Sequence, residues 1–76
     1  MGQRRNLKAL RPTVLDILKE VKMEMTTSEL KEVLYDAYGV ELSAKDVWYI
    51  LEEAANDGAN ITKIDRGTRL AYQYMV

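Results

Sequence analysis

The residue types that most often carry out catalysis are scarce in this sequence of 76 residues. It contains no histidine and no cysteine, which removes the commonest general base, the thiolate nucleophile and the usual zinc ligands. Carboxylates do occur in pairs, such as Glu52 with Glu53, but adjacent acids on a helix point in different directions and no base accompanies them. The sequence therefore predicts a protein that is not an enzyme and that needs neither a cofactor nor a metal ion.

Basic residues are the remaining candidates for chemistry, and they are concentrated at the two ends of the chain. Residues 1–12 contain four basic residues and no acid, and residues 60–76 contain three basic residues and one acid. The middle, residues 13–59, has eleven acids and four basic residues, and the net charge is −1. A polyanion such as a nucleic acid would therefore meet the two ends first.

Two helices are predicted in the first half of the chain. Pro12 suits a first helical turn, and apolar side chains recur every three or four residues beyond it, which predicts a helix over residues 12–24. A second helix begins with a capping box formed by Thr26 and Glu29, and Gly39 supplies the left-handed residue that ends it.

A third helix follows after a turn of four residues. Ser43 is its predicted N-cap, Asp46 stands at the third helical position, and the helix ends at residues 56–58. Two capped helices joined by a short turn that begins with glycine indicate a helix-turn-helix.

A β-hairpin is predicted at the end of the chain, where the apolar period changes from about 3.6 to 2. Residues 61–64 and 70–76 form its strands, and residues 65–69 form a loop in which Gly67 takes a positive φ. A hairpin directly after a helix-turn-helix is the wing of a winged-helix domain.

The predicted fold class is therefore α+β, a winged helix-turn-helix with three helices followed by a C-terminal β-hairpin wing. This domain covers residues 12–76. A residue that precedes proline disfavours a continuous helix, so residues 1–11 are assigned to a basic N-terminal arm. Within it, residues 6–10 form either an earlier helical turn or a loose segment, and the sequence leaves both open.

Three segments of the sequence carry a family resemblance: residues 26–34, 39–54 and 61–74. Together they resemble a winged helix-turn-helix, and within it they are most similar to the DNA-binding half of ferric-uptake-regulator-type repressors. The chain lacks the histidine-rich metal sites and the dimerisation half of those repressors, so metal-dependent repression is not carried over.

The resemblance implies which helix would meet DNA. In that family the helix that begins at the position of Ser43 enters the major groove. The residues matching Trp48 and Tyr49 are usually a tyrosine and an arginine that touch DNA, and here Tyr49 stands where the arginine would be.

These observations predict a small DNA-binding transcriptional regulator. Helix three would occupy the major groove, the basic wing would reach the flanking groove, and the arm would contact phosphates nearby. The candidate DNA-binding residues are Ser43, Ala44, Lys45, Trp48 and Tyr49 on helix three, Lys63, Arg66 and Arg69 on the wing, and Arg4 and Arg5 on the arm.

Aromatic residues have a structural interpretation beside the functional one. For Trp48 both interpretations stay open: a contact with DNA, or packing between helix three and the hairpin. Tyr72 and Tyr74 are predicted to be core residues of the last strand. Tyr35 and Tyr38 are predicted to be partly buried with their hydroxyls in water.

The alternative function is a protein-interaction module. Helix three is acidic towards its end, where Glu52, Glu53 and Asp57 would repel phosphates. The face from Asp46 to Asp57 would then dock a protein partner. On either interpretation we expect a cytoplasmic protein with no membrane segment, and a homodimer is compatible with the symmetric half-sites common for such domains.

Overall fold

The computed structural model describes residues 7–75, and it contains three helices and a small antiparallel sheet. The predicted arm residues Arg4 and Arg5 and the terminal Val76 lie outside the described residues. Among residues 7–75, no helix combines the length and the apolar character needed to cross a membrane. The elements are α1 (Leu7–Val21), β1 (Met25–Thr26), α2 (Thr27–Tyr38), α3 (Ala44–Asn56), β2 (Ile61–Asp65) and β3 (Leu70–Tyr74).

Helix α1 differs from its prediction at both ends. It begins at Leu7 and contains Pro12 in its interior, although a proline there removes one helical hydrogen bond. The contacts made before the proline offset this loss, because Leu7 and Leu10 pack against the core and Arg11 forms ion pairs with α3. The helix ends at Val21, and the next residue adopts a positive φ of 59° although it is not glycine.

The capping boxes of α2 and α3 confirm the sequence prediction. The Thr26 hydroxyl accepts a hydrogen bond from the Glu29 backbone N–H at 3.1 Å, and the Glu29 carboxylate accepts from the Thr26 N–H at 2.9 Å. Ser43 and Asp46 repeat this pattern at 3.1 and 3.3 Å. Gly39 ends α2 in the left-handed conformation, with a φ of 66°.

The sheet has three strands rather than the predicted two, in the order β1-β3-β2. β2 and β3 form the expected hairpin, which we call the wing together with its loop, residues 66–69. In that loop the Arg66 N–H donates to the Arg69 carbonyl at 2.8 Å, and Gly67 has the predicted positive φ, 82°. The unpredicted strand β1 pairs with the other edge of β3 through Met25 and Thr26.

The core lies between the three helices and β3. Tyr72 is 1% exposed and packs within it, as predicted, and Tyr74 is half-buried against it. Tyr35 and Tyr38 are exposed, more so than predicted. The remaining large core side chains are Val14, Leu18, Leu30, Leu34, Val47 and Leu51.

Candidate nucleic-acid interface

A concave surface lies where the N-terminal ends of α2 and α3 meet the base of the wing. We call it the α2–α3 groove, and its volume is about 330 Å³. Both helices begin here, so the positive ends of two helix dipoles point toward the same region. Its lining residues are Thr26, Thr27, Ser28, Ala44, Lys45, Trp48, Thr68, Arg69 and Leu70.

Two cations in the groove are not neutralised by acids. Neither Lys45 nor Arg69 forms an ion pair with another residue of the range 7–75. The nearby acids Glu29 and Asp46 instead accept hydrogen bonds from backbone N–H groups in their capping boxes. Both cations are on exposed residues, so the groove can attract an anion through two side chains and two helix ends.

The aromatic residues of α3 are divided between the groove and the outer face. Trp48 lines the groove and is 37% exposed. It is therefore not a core residue, which was one of its two interpretations. Tyr49 follows on the outer face and is 49% exposed. Ser43 is exposed at the start of the helix, where its hydroxyl is engaged by the Asp46 N–H.

The other two wing cations are held by acids of the same chain. Lys63 Nζ lies 2.8 Å from Glu52 Oε2, and the Arg66 guanidinium forms an ion pair with Glu24. Hydrogen bonding to the Glu24 carboxylate raises the pKa of Arg66 above its ordinary value. Of the three wing residues that the sequence offered together, Arg69 alone is without an acidic partner in the described part of the chain.

The acids near the end of α3 are also paired. Glu52 Oε2 accepts hydrogen bonds from Lys63 and from the buried Tyr72 hydroxyl, each at 2.8 Å. These bonds, the one from Lys63 first, lower the pKa of the Glu52 carboxyl despite its partial burial. The negative charge that the sequence suggested for this surface is thus partly compensated within the molecule.

Arg11 is the functional neighbour of α3 that sequence reasoning missed. Its guanidinium lies 2.7 Å from Asp57 Oδ2 and 3.6 Å from Glu53 Oε1. Its position before a proline predicts that it belongs to the arm, whereas in the structure it is part of α1. The missed signal is the helical spacing of Leu7 and Leu10 with Val14, which continues the apolar face of α1 through Pro12.

Metal binding has no visible site in the described range. No group of three acidic residues among residues 7–75 is placed to hold a metal ion. The α2–α3 groove offers two cations and two helix N-termini for binding an anion, and an indole ring for packing.

Comparisons with known proteins agree with this architecture. Residues 8–70 match the family model of the repressor Rok winged helix domain. A solved structure from work on the DNA recognition and protein interaction domains of HOP2, and on its homologous DNA pairing properties, has a TM-score of 0.72 and 20% sequence identity. It covers 86% of this chain and 97% of that chain, and at this identity it shows the fold alone. No curated protein sequence matches the chain.

These matches test the family resemblance found in the sequence and confirm one part of it. Its winged-helix part is confirmed by the family model and by the three helices with their antiparallel sheet. The closer similarity to ferric-uptake-regulator-type repressors is not shown by either match.

Proposed function

Because the chain belongs to the family of the repressor Rok winged helix domain, we propose that it is a transcriptional regulator that binds double-stranded DNA and has no enzymatic activity. The first turns of α3 enter the major groove, and the wing contacts the flanking groove or backbone. Arg4 and Arg5 contact phosphates beside this site. The proposal rests on the α2–α3 groove, where Lys45 and the wing residue Arg69, neither with an acidic partner within residues 7–75, lie near two helix N-termini.

The division of charge along α3 supports this orientation. Lys45, Trp48 and Tyr49 lie in its first half, whereas Glu52 and Glu53 lie in its second half. The one acid of the first half, Asp46, accepts a hydrogen bond from the Ser43 backbone N–H in the capping box. A phosphate backbone is attracted by the first half and gains nothing from the second. Contacts with the first turns of a recognition helix are common among helix-turn-helix proteins.

The first test is fluorescence anisotropy of a labelled random 30-mer duplex titrated with the protein at several salt concentrations. Lys45 and Arg69 form no ion pair within residues 7–75. Together with the proposed contacts of Arg4 and Arg5 they give four phosphate contacts, which predict an affinity loss of roughly a hundredfold between 50 and 200 mM salt. Absence of saturable binding at about 50 mM salt would contradict the proposal.

The double variant Lys45→Ala with Arg69→Ala tests whether the groove binds DNA. We expect it to weaken binding about tenfold or more and to reduce the salt slope by about two, one for each lost phosphate contact. Lys19→Ala with Lys31→Ala is the control, because both are exposed cations, on α1 and α2, outside the groove. Equal effects of the two variants would show that the groove has no special part in binding.

The alternative function, docking of a protein through the acidic face of α3, has less support. Glu52, Glu53 and Asp57 are each paired with a cation of this chain, so a partner would have to displace those cations. Charge reversal at Glu52 and Glu53 with retained DNA binding and loss of a protein partner would favour this alternative.

The stoichiometry on DNA is the remaining part of the proposal. Two copies on symmetric half-sites would double the number of phosphate contacts that one small domain makes. Analytical ultracentrifugation of the protein with a saturated 30-mer duplex measures the number of copies bound, and a single copy at saturation would argue against a dimer.

A further inference from the structure

The cations of the wing differ in what holds them in the free protein. Arg66, at the start of the wing loop, forms an ion pair with Glu24, whereas Arg69, at its end, has no acidic partner within residues 7–75. Both side chains belong to the loop that the proposed function places against DNA. Arg69 can therefore bind a phosphate directly, whereas Arg66 must first leave Glu24.

Glu24 lies at the edge of the sheet opposite to β2. It directly precedes β1, which pairs with one edge of β3, while the wing loop connects β3 to β2 at the other edge. The Glu24 side chain is 32% exposed and that of Arg66 is 57% exposed. The pair is thus accessible to a ligand that approaches the wing.

A carboxylate and a phosphate compete for the same guanidinium. Arg offers planar N–H donors that fit both groups, and a single guanidinium turned to one of them has fewer donors for the other. While Glu24 holds Arg66, this side chain adds little to the attraction of the wing for DNA.

We propose that Glu24 is an intramolecular competitor of DNA phosphate for Arg66 and so limits the affinity of the wing for DNA. This inference rests on the proposed function and adds its regulation by a residue outside the DNA-binding surface. When DNA binds, Arg66 either stays on Glu24 and makes no phosphate contact, or exchanges the carboxylate for a phosphate at the cost of the ion pair.

The pair of Lys63 and Glu52 does not serve this purpose. Glu52 also accepts a hydrogen bond from Tyr72, which is a core residue, so this carboxylate is tied to the packing of α3 against β3. For Glu24 the contact with Arg66 is the one ion pair within residues 7–75. Removing its charge therefore leaves the core untouched.

The test compares Glu24→Gln with Glu20→Gln in the anisotropy assay with the random 30-mer duplex. Both variants lose one negative charge, and Glu20 is an exposed residue of α1 without an ion pair in the described range. We expect Glu24→Gln to bind DNA about two- to fivefold more tightly than Glu20→Gln at 50 mM salt. Its salt slope should be steeper by about one, as for one additional phosphate contact.

A double-mutant cycle assigns the effect to Arg66. With Arg66→Ala in place, Glu24→Gln should bind no more tightly than Glu20→Gln. Equal affinities of Glu24→Gln and Glu20→Gln with the natural Arg66, or a gain that persists without it, would overturn the inference while leaving the proposed function intact. If no variant binds the duplex, both are overturned. Thermal melts of all variants check that each is folded.

Discussion

The two ends of α3 have opposite electrostatic arrangements. At its N-terminal end, Lys45 has no acidic partner within residues 7–75 and Trp48 lines an open groove. At its C-terminal end, Glu52, Glu53 and Asp57 are each bound by a cation from another element. One end can therefore accept a ligand, and the other is used to hold the domain together.

The physical reason for the pairing lies in the helix dipole. The C-terminal end of a helix carries a partial negative charge, so three carboxylates there are unfavourable unless cations offset them. Arg11 from α1 and Lys63 from β2 supply those cations. A count of charges along a helix therefore does not predict its ligand, because ion pairing decides which charges remain available.

The largest expected effect concerns stability at the paired end. Tyr72→Ala removes a buried ring and its hydrogen bond to Glu52, and we expect it to lower the free energy of unfolding by about 3–5 kcal/mol. Tyr49→Ala, at an exposed position of α3, should change it by no more than about 0.5 kcal/mol. Urea denaturation measures both values, and similar losses would remove the distinction between the two ends.

The next effect concerns binding at the open end. Trp48→Ala should weaken binding to the random duplex about five- to tenfold, because the groove loses its largest contact surface, and a tenfold change corresponds to about 1.4 kcal/mol. Tyr35→Ala is the control, since Tyr35 is a 60% exposed aromatic residue of α2 outside the groove. Unchanged affinity of Trp48→Ala would restrict the interface to cations.

Much of this fold could be predicted from the sequence because its signals are local. The capping boxes at Thr26 and Ser43 and the turn at Gly67 depend on residues within three positions of one another, and all of them are confirmed. The start of α1 differs from its prediction because the packing of Leu7 and Leu10 against the core outweighs the restriction on the residue before proline. β1 was missed because two residues are too few to show a period of two.

The site is harder to predict, because ion pairs join residues that are distant in sequence. Nothing near Arg66 in the sequence indicates Glu24, and nothing near Arg11 indicates Asp57, which is 46 positions away. The residue types in the sequence therefore identify the surface, but they do not distinguish the paired wing cations from Arg69, which has no acidic partner within residues 7–75.

Ser43 is the N-cap of α3 and lies at its open end. Two substitutions separate its effect on stability from its effect on DNA binding. Ser43→Ala removes the N-cap and should lower the free energy of unfolding by about 1 kcal/mol. Ser43→Asp keeps a capping oxygen and should leave stability nearly unchanged, yet it places a negative charge beside Lys45 and should weaken DNA binding severalfold. If Ser43→Asp binds DNA as well as the unaltered protein, the start of α3 does not approach phosphates.

The smallest expected effect is the pH dependence of the free energy of unfolding that arises from Glu52 at the paired end. Because bonds from Lys63 and Tyr72 hold the pKa of Glu52 below its ordinary value, the charged carboxylate stabilises the folded state above that ordinary value. This stabilisation is lost as the pH falls through the lowered pKa. Glu52→Gln should therefore be less stable than the unaltered protein by about 0.5–1 kcal/mol at pH 7, and the difference should disappear once the pH lies below the lowered pKa of Glu52.

Tyr72→Phe sharpens this measurement because it removes one of the two donors to Glu52 and keeps the ring. In that background the pKa of Glu52 should lie closer to its ordinary value, since the bond from Lys63 alone remains. The part of the unfolding free energy that varies between pH 7 and pH 3 should then be smaller than in the unaltered protein. A pH dependence that neither substitution changes would mean that the Glu52 pairing does not hold the C-terminal end of α3, and the contrast between its two ends would then rest on Arg11 alone.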